Sequence, residues 1–432
     1  MNEFIYTSWI FCVFNSLQYN RIIRLNFNKE GALMGSNNLW KYSPLTTVII
    51  LAPMVFSFAL ALDVYMPVIP QIVDIMNTTP FMVQLTLSLF ILVTGFGQLI
   101  IGPLSDSFGR RKLIFISVLL FVFGSALCAN ATTINSLILF RIIQAIGACG
   151  TFVISFAIVR DVFHKEQSAQ IYSFLNGMIA FSPLLGPIIG AYLDLHFDWR
   201  APFIFLVVLG TLTAILILSF AKESLPNEKR KPFNKKLFQG YGAIVTNLQF
   251  IAYATSAAAG ISAFFTFFSM TPYIITVALG LPEISIGFYF GLGGLTFMVG
   301  CVFSGMLVRK FGTFNMTIAG AIALFISGFS MLALHLTFGL TLWGFVGPSM
   351  LFTFGCALVT GAGAGGAMEP FGDSSGTAAA MFGAMEFGGS ALIGSFVMLW
   401  PVRNTLPLAI EVLITSTLSI SLLLLYRKYK NH

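Results

Sequence analysis

Long apolar segments alternate with short polar gaps along almost the whole chain. They fall near 45–68, 82–104, 112–131, 135–158, 168–192, 200–221, 245–271, 284–306, 314–335, 340–362, 374–398 and 404–426. Each segment has about the 20 residues that an α-helix needs to cross ~30 Å of hydrocarbon. The gaps are polar or contain Gly and Pro, which favour turns. The pattern predicts an all-α membrane protein with twelve transmembrane helices.

The composition agrees with a protein that has lipid as its solvent. Of the 432 residues, 57% are hydrophobic and only 9% are charged, whereas a soluble domain has roughly 25% charged residues. The five cysteines are scattered singly without metal-ligand spacing, so we expect inert thiols and no metal site. No phosphate-binding glycine loop, nucleophile elbow or zinc signature is present. We therefore expect neither an enzyme nor a bound cofactor.

The basic residues predict the orientation of the chain. If the N-terminus is cytoplasmic, seventeen of the 23 lysines and arginines fall in cytoplasmic segments, and only Arg200 and Arg403 fall outside. This bias follows the positive-inside rule. We predict a multi-pass protein of the bacterial inner membrane with both termini in the cytoplasm. The formal charge of +7 is then a topology signal, and we expect no nucleic-acid partner.

The longest polar stretch, KESLPNEKRKPFNKK from Lys222, separates the sixth and seventh segments. We predict a six-helix bundle over 41–221, a cytoplasmic linker over 222–244 and a second six-helix bundle over 245–432. An internal repeat supports this division: Gly102, Leu104, Phe108 and Gly109 recur 203 residues later as Gly305, Leu307, Phe311 and Gly312. Repeats of this kind build transporters that bind substrate between the halves of one chain.

Residues 1–40 stand apart from this pattern. Their apolar patch, Trp9 to Phe14, is too short to span, and no small-residue cleavage site follows it, so a signal peptide is a poor interpretation. We interpret this segment as an N-terminal extension and expect translation to start at Met34. Mass spectrometry of the N-terminus tests this expectation.

The loop after the second segment combines glycines with opposite charges. It reads GPLSDSFGRRK from Gly102, so Asp106 precedes Gly109, Arg110 and Arg111. Glycines allow helix ends to approach closely, and a carboxylate beside basic groups can form a breakable latch. We predict a cytoplasmic gate here, with Asp106 also attracted to a helix N-terminus. The alternative is that the arginines serve only to fix topology.

Two isolated charges lie inside apolar segments. Arg141 stands in LILFRIIQAIGA, at a cost of about 3 kcal/mol or more in a bilayer. Asp63, in the first segment, is predicted at a similar depth in the outer half of the membrane. We predict that Asp63 and Arg141 meet, so that protonation of the acid responds to bound substrate. A static structural ion pair is the alternative.

The fifth segment ends SPLLGPIIGA from Ser182. Pro183 and Pro187 interrupt the backbone hydrogen bonds, whereas Gly186 and Gly190 permit close packing. We predict a hinge and seal in this helix, with a simple packing kink as the alternative.

Further candidates lie in or beside the apolar segments. Glu386 and Glu411 are intramembrane acids, which are functional candidates by default. Each could be a second protonation site or contact a cationic substrate, although Glu411 could instead lie close to water. Tyr65, Gln144 and Tyr273 are candidates for the wall of a substrate cavity.

The motifs together resemble a known group of transporters. The 102–112 loop and the Arg141 segment are similar to signature motifs of the major facilitator superfamily, and the Gly186–Pro187 element resembles its exporter motif. With DVYMPVIP from Asp63, VRDVF from Val159 and AMEPF from Ala367, the chain resembles the bicyclomycin/chloramphenicol-resistance family of drug:proton antiporters.

The resemblance implies two six-helix bundles around a central cavity that opens alternately to each side. It implies export of small amphipathic compounds by a functional monomer driven by the proton gradient, with Asp63 exchanging the proton and Arg141 tuning it. An importer or exporter of a specific metabolite or siderophore remains an alternative. A non-transporting membrane enzyme or receptor would need a catalytic cluster, which the sequence does not contain.

Overall fold

A computed structural model describes residues 40, 42–163, 165–230, 239–282, 284–400 and 404–430. The extension 1–39, with the expected start at Met34, lies outside the described residues. Tyr42–His432 forms one compact unit. Its described part is almost entirely helical and contains no β-strand. The all-α prediction is confirmed.

The first six membrane-spanning helices occupy the part of the unit before the linker. They are α1 (Pro44–Asp63, continued by a 3₁₀ turn at Met66–Val68 and by Ile69–Ile75), α2 (Pro80–Phe108), α3 (Arg110–Ala129), α4 (Ile134–Val162), α5 (Lys165–His196) and α6 (Ala201–Phe220). A 3₁₀ turn at Asn227–Lys229 and a short linker helix, Gln239–Val245, follow.

The second group contains two interrupted helices and one long one. They are α7 (Leu248–Pro272, then a π-helical Tyr273–Ala278), Ile284–Phe338, α10 (Leu342–Met368), a 3₁₀ segment at Glu369–Ser374, α11 (Ser375–Gly383, a π-helical Ala384–Gly388, and Gly389–Val397) and α12 (Leu406–Lys430).

The 55-residue helix Ile284–Phe338 accounts for two crossings. At 1.5 Å per residue it would be about 80 Å long, far more than the ~30 Å of hydrocarbon. Gly312, with φ 80°, breaks it into α8 (284–311) and α9 (313–338). The described residues contain eleven helices that are long and apolar enough to span a membrane. With this helix counted twice, the twelve predicted crossings are present.

Short polar side chains start many of these helices. Ser43, Thr79, Asn247 and Thr341 each accept a hydrogen bond from a backbone N–H of the first turn of α1, α2, α7 and α10. Thr133 and Ser136 form a reciprocal capping box at the start of α4. Such caps satisfy donors that a helix end leaves unpaired. The capped helices therefore begin at polar residues that flank the apolar segments.

The chain segments after α2, α4 and α6 meet at one end of the bundle, which we call the basic end, because Arg110 and Arg160 both contact Asp106 and Glu223 accepts from the Arg110 N–H. The turn between α8 and α9 lies at the same end, since Thr313 lies beside Gly365 of α10, and Gly376 of α11 lies beside Arg160. The basic end contains Arg110, Arg111, Lys112, Arg160, Lys222, Arg309 and Lys310. The opposite end is called the outer end. The two halves touch along α2 and α11, where a side chain at Gly95 would collide with the backbone of Gly388. They also touch along α5 and α8, where Gly294 packs against the backbone of Pro183 and Leu184. Glycine is needed at both crossings.

Candidate functional site

Helix α1 is broken immediately after Asp63. Pro67 and Pro70 have no N–H, so the carbonyls of Asp63 and Met66 cannot receive the usual helical hydrogen bonds. The chain passes through a turn at Val64 and Tyr65 before it resumes as a 3₁₀ segment. The acid therefore lies at a backbone discontinuity, and such irregular backbone within a membrane occurs where protein or an aqueous cavity surrounds it.

Asp63 is only 4% exposed, and its side chain faces α5. Ser182 Oγ donates a hydrogen bond of 2.6 Å to Asp63 Oδ2. Gly186, one turn further along α5, lies directly against the Asp63 Cβ, so that any side chain at position 186 would collide with it. Gly190 lies against the carbonyl oxygen of Val64 in the same way. The residues predicted as a hinge thus pack α5 tightly onto the break in α1.

Arg141 is fully buried in a separate cluster within the first half. Its Nη1 donates to the Ala61 carbonyl oxygen at 3.0 Å and to Gln144 Oε1 at 2.7 Å. The guanidinium carbon lies 4.7 Å from the ring centre of Tyr65 and 4.4 Å from that of Phe90. Cation–π contacts and hydrogen bonds to α1 thus compensate part of the cost of burying this charge.

The predicted meeting of Asp63 and Arg141 side chains is wrong for this conformation. Both residues are described, and no ion pair joins them: Asp63 contacts Ser182, whereas Arg141 contacts Ala61. The predicted depth is compatible, since Arg141 reaches the last turn of α1 before the break. The directions differ because residues two apart on a helix point to nearly opposite sides. The face of α1 that receives Arg141 at Ala61 is therefore not the face that carries Asp63.

The three predicted cavity residues are buried in this conformation. Tyr65 and Gln144 are part of the Arg141 cluster, where Tyr65 Oη lies 2.9 Å from Thr86 Oγ1 and Gln144 Nε2 donates to Ser125 Oγ at 2.7 Å. Tyr273, at the outer end of α7, is buried, and its hydroxyl has no hydrogen-bond partner among the described residues. Tyr65 and Gln144 hold Arg141, and a role for them in substrate binding stays a prediction.

Arg110 is the centre of the charge network at the basic end. Its Nη2 lies 2.5 Å from Asp106 Oδ1, its Nε lies 2.8 Å from Asp161 Oδ2, and it also contacts Ser105 Oγ. Arg160 lies 3.7 Å from the Asp161 carboxylate. The Arg110 side chain is 99% buried, so charges that are normally exposed form a protected network here. The structure thus brings Asp106 and Arg110 together as predicted.

Other predicted gate residues lie differently. Arg111 is exposed and forms no ion pair with a described residue. A side chain at Gly102 would meet no atom within 4 Å, so the close approach predicted there is absent in this conformation. Gly109 is constrained instead by its backbone, with φ 92°. Gly312, its counterpart in the repeat, has φ 80°.

Asp161 and Glu223 also belong to this network, although neither was predicted from the sequence as part of the gate. Glu223 Oε1, in the linker, accepts a hydrogen bond of 2.9 Å from the backbone N–H of Arg110, and Glu223 Oε2 lies 3.3 Å from Arg230 Nη2. Glu223, and not Asp106, therefore provides the negative charge at the N-terminus of α3. Asp161 lies in the VRDVF motif, which could have indicated its role. No local sequence pattern indicates the contact between Arg110 and Glu223, because these residues are 113 positions apart.

The linker also contacts α2 through Tyr241. Its hydroxyl donates to the carbonyl oxygen of Leu99 at 3.1 Å. Burial, with a smaller contribution from the negative charge of Asp106, raises the pKa of Tyr241 to about 12. The hydroxyl therefore stays protonated at neutral pH and keeps its role as a donor.

The two remaining acids lie in the second half, away from Asp63. Glu386 is in the π-helical segment of α11, half-buried, with Cys356 of α10 nearby. Glu411 of α12 is 4% exposed, and neither carboxyl oxygen has a hydrogen-bond partner in the part of the chain that the structure describes. The Ser262 and Thr266 hydroxyls of α7 face it, although not at hydrogen-bonding geometry. The interpretation of Glu411 as a group close to water is wrong for this conformation. Among the described residues, no cluster suited to a metal ion occurs.

Comparison with known proteins agrees with this architecture. The sequence profile of the Major Facilitator Superfamily matches residues 51–394. The chain is 31% identical over 396 residues to the chloramphenicol resistance protein of Pseudomonas aeruginosa, covering 90% of this chain and 93% of that protein. It is 27% identical over 342 residues to multidrug resistance protein D of Escherichia coli, covering 79% and 86%.

Solved structures share the fold at lower sequence identity. A D-xylose–proton symporter aligns with a TM-score of 0.67 at 18% identity, over 87% of this chain and 96% of that chain. The human organic anion transporter MFSD10 aligns with a TM-score of 0.65 at 17% identity, over 88% and 100%. From its profile match, its relatives and its twelve-crossing fold, this chain belongs to the Major Facilitator Superfamily.

Proposed function

We propose that the protein exports small amphipathic compounds, including drugs of the chloramphenicol type, in exchange for protons. One observation carries the proposal. Asp63 is a buried carboxyl group at a break in α1, its hydrogen-bond partner is a hydroxyl, and no cation of the described residues pairs with it. The resistance proteins to which the chain is similar over most of its length support drugs as the substrate class.

The protonation of Asp63 provides a physical basis for coupling. An isolated carboxylate in a dry interior is costly, so the packed arrangement of α1 against α5 favours the neutral acid. Loss of the proton favours hydration of the carboxylate, which requires α1 and α5 to separate at Gly186. A proton entering from one side and leaving to the other can therefore change the packing of these helices during each cycle.

Arg141 acts in this proposal through the backbone. Its hydrogen bond to the Ala61 carbonyl holds the last helical turn before Asp63. The guanidinium is a fixed positive charge that contacts the other side of the same helix and does not pair with the Asp63 carboxyl group. Arg141 is thus a positioning group, and Asp63 is the group that carries the proton.

Helix α5 connects this event to the other half of the chain. One face packs on α1 through Gly186, and another contacts α8, where a side chain at Gly294 would collide with the backbone of Pro183. We propose that Pro183 to Gly190 form the seal, and the hinge, between the halves. The substrate passes between these halves in a single chain, so a monomer suffices for transport.

We place the basic end in the cytoplasm of a bacterial inner membrane. The excess of lysine and arginine at that end supports this orientation. The Arg110 network then lies at the cytoplasmic side, where Asp106, Asp161 and Glu223 hold the loop between α2 and α3. Proton entry from the outer end and drug release to the outside follow from the usual inward proton gradient.

Transport in inverted membrane vesicles tests the function. Vesicles containing the protein should accumulate labelled chloramphenicol when their interior is made acidic, and an ionophore that collapses the pH difference should abolish accumulation. Vesicles without the protein are the control. Accumulation that needs the opposite pH gradient would indicate symport, and no uptake across a panel of amphipathic drugs would contradict the proposal.

A further inference from the structure

Four polar residues line one face of α7. Ser262, Thr266, Ser269 and Tyr273 are spaced by four, three and four positions, which places them on one side of a helix at steps of about 5–6 Å. We call them the α7 polar face. With 1.5 Å per residue, it extends about 16 Å, roughly half of the hydrocarbon thickness.

One end of the α7 polar face lies near the outer end of the bundle. Tyr273 interacts with Asp74, which is exposed, and with Tyr65 of α1. Ser269 accepts a hydrogen bond of 2.7 Å from Gln84 Nε2 of α2, so this part of the face lies at the contact between the halves. The face therefore begins beside water and continues inward along the interface.

The inner end of the α7 polar face reaches Glu411. The carboxyl group faces Ser262 and Thr266 from α12. The hydroxyl of Ser262 donates to the carbonyl oxygen of Ala259 at 3.1 Å, which leaves its lone pairs free to accept. Glu411 is 96% buried, and no cationic side chain of the described residues interacts with it.

Unpartnered polar atoms are concentrated along this route. Within the described ranges, five buried atoms form no hydrogen bond: Gln84 Oε1, Thr266 Oγ1, Tyr273 Oη and both carboxyl oxygens of Glu411. Buried polar groups nearly always have a partner, so several exceptions along one helix face call for an explanation. Successive members of the α7 polar face have Cβ atoms about 5–6 Å apart, and one water bridges two polar atoms of similar separation with two hydrogen bonds of about 2.8 Å.

We propose that the α7 polar face is a proton path from the outer end to Glu411, and that Glu411 binds a second proton. The proton moves between hydroxyl groups and bridging waters along Tyr273, Ser269 and Thr266. It then resides on a Glu411 oxygen, and the protonated carboxyl group donates a hydrogen bond to the hydroxyl of Thr266 or Ser262. The neutral acid needs no counter-charge, which agrees with the absence of a cation among its described neighbours.

A proton fits this site better than a metal ion. Calcium and magnesium take about six or more oxygen ligands, whereas two carboxyl and two hydroxyl oxygens face one another here. The carbonyl groups of α7 are occupied because Leu248–Pro272 is a continuous α-helix. Two other titratable groups belong to helices of the second half. Glu386 of α11 lies near Cys356, and His335 of α9 contacts Thr405, six residues before Glu411 and therefore about 9 Å from it along the helix axis.

The proposal extends the antiport function but does not depend on the drug. If Asp63 and Glu411 both exchange protons during the cycle, transport should move two protons for each substrate molecule. Proton binding to Glu411 can nevertheless be measured on the purified protein alone, without any substrate. Failure of the function and failure of this site are therefore distinguishable.

Infrared difference spectroscopy of the purified protein across a pH series tests the site. Wild-type protein should show a protonated-carboxyl C=O band that disappears as the pH rises, and Glu411→Gln should lose that band. Glutamine preserves the size and the hydrogen-bonding capacity of the residue, so the fold should be kept. In vesicles that transport chloramphenicol, Glu411→Gln should exchange one proton fewer per drug molecule.

Two variants distinguish an effect on proton transfer along the α7 polar face from an effect on the packing of α7 against α12. Thr266→Val removes a hydroxyl from the path. The rate at which Glu411 equilibrates with protons in solution should fall about tenfold, because the loss of one hydrogen bond raises the barrier to proton transfer by an amount that corresponds to this factor. Ser419→Ala breaks the 2.6 Å hydrogen bond to Ser256 of α7, which lies off the path. Its spectrum and its rate should match the wild type.

Three results would overturn the proposal. A Glu411→Gln spectrum that retains every titrating carboxyl band would show that Glu411 binds no exchangeable proton. A band that responds to sodium at constant pH would assign the site to a metal cation. A Thr266→Val protein that equilibrates as fast as the wild type would rule out the α7 polar face as the route.

Discussion

Arg141 shows how a single charge is accommodated within a membrane-spanning bundle. A guanidinium has five N–H donors. The two on Nη1 are used by Ala61 and Gln144, whereas Nε and Nη2 have no hydrogen-bond partner among the residues that the structure describes. The rings of Tyr65 and Phe90 lie over the group instead. The planar shape of arginine is therefore as important here as its charge.

Arg141→Lys should destabilise the protein although the charge is retained. Lysine cannot stack as a plane on the two rings or donate to both Ala61 and Gln144, and the loss of one hydrogen bond from a charged group costs about 1.5–3 kcal/mol. The melting temperature in detergent should fall by several degrees. Arg111→Lys is the matched control, because Arg111 is exposed and forms no ion pair with the described residues. Equal melting temperatures would contradict this role.

Gly186 and Gly177 provide a second comparison, at the scale of one helix. Both glycines are in α5, but only Gly186 lies against Asp63, whereas a side chain at Gly177 would meet nothing within 4 Å. Gly186→Ala should push α5 away from α1 and reduce proton-driven transport at least tenfold, since overpacking costs about 1–3 kcal/mol. Gly177→Ala should leave transport unchanged. Full activity of Gly186→Ala would argue against the α1–α5 contact as the coupling element.

The connection between α2 and α3 depends on backbone conformation. Gly109 has φ 92° and ψ 148°, a region essentially restricted to glycine that costs other residues about 1–3 kcal/mol. Gly109→Ala should lower the melting temperature, because the added methyl group also meets Arg230 and Glu223. Gly102→Ala, in open space, should not. Equal melting temperatures of Gly109→Ala and Gly102→Ala would show that the backbone conformation at Gly109 does not require glycine.

Features governed by local rules were predictable from the sequence at this scale. The twelve crossings follow from apolar length, and the turn glycines Gly109 and Gly312 follow from their equivalent places in the repeat. The direction of a side chain around a helix was not predictable. Depth alone placed Asp63 beside Arg141, but the faces of α1 that meet α4 and α5 are set by packing between distant segments. The contact of Glu223 with the N-terminus of α3 depends on the same long-range packing.

At the scale of the whole molecule, the halves touch at both ends. Gln84 donates to Ser269 near the outer end, and the Arg160 guanidinium occupies the space that a side chain at Gly376 would fill at the basic end. An alternating-access cycle must break these contacts in turn, because opening both at once would leak protons. The charge network of Arg110 is close enough to Arg160 to respond to the opening of the basic end.

Spin-label distances should therefore change in opposite directions at the two ends. Labels at Thr79 and Val277 report on the outer end, and labels at Lys112 and Lys310 report on the basic end; all four positions are exposed. Lowering the pH or adding chloramphenicol should lengthen one distance while the other shortens. The same experiment on Asp63→Asn should show no response to pH at these positions. Distances that lengthen together would contradict alternation.

The most direct test of proton coupling compares two modes of transport in proteoliposomes containing Asp63→Asn. Drug–drug exchange needs only the movement of the loaded carrier, whereas accumulation against a gradient needs the proton. We predict that Asp63→Asn keeps exchange of labelled for unlabelled chloramphenicol and loses accumulation driven by a pH difference. Accumulation at the wild-type level by the Asn variant would contradict it.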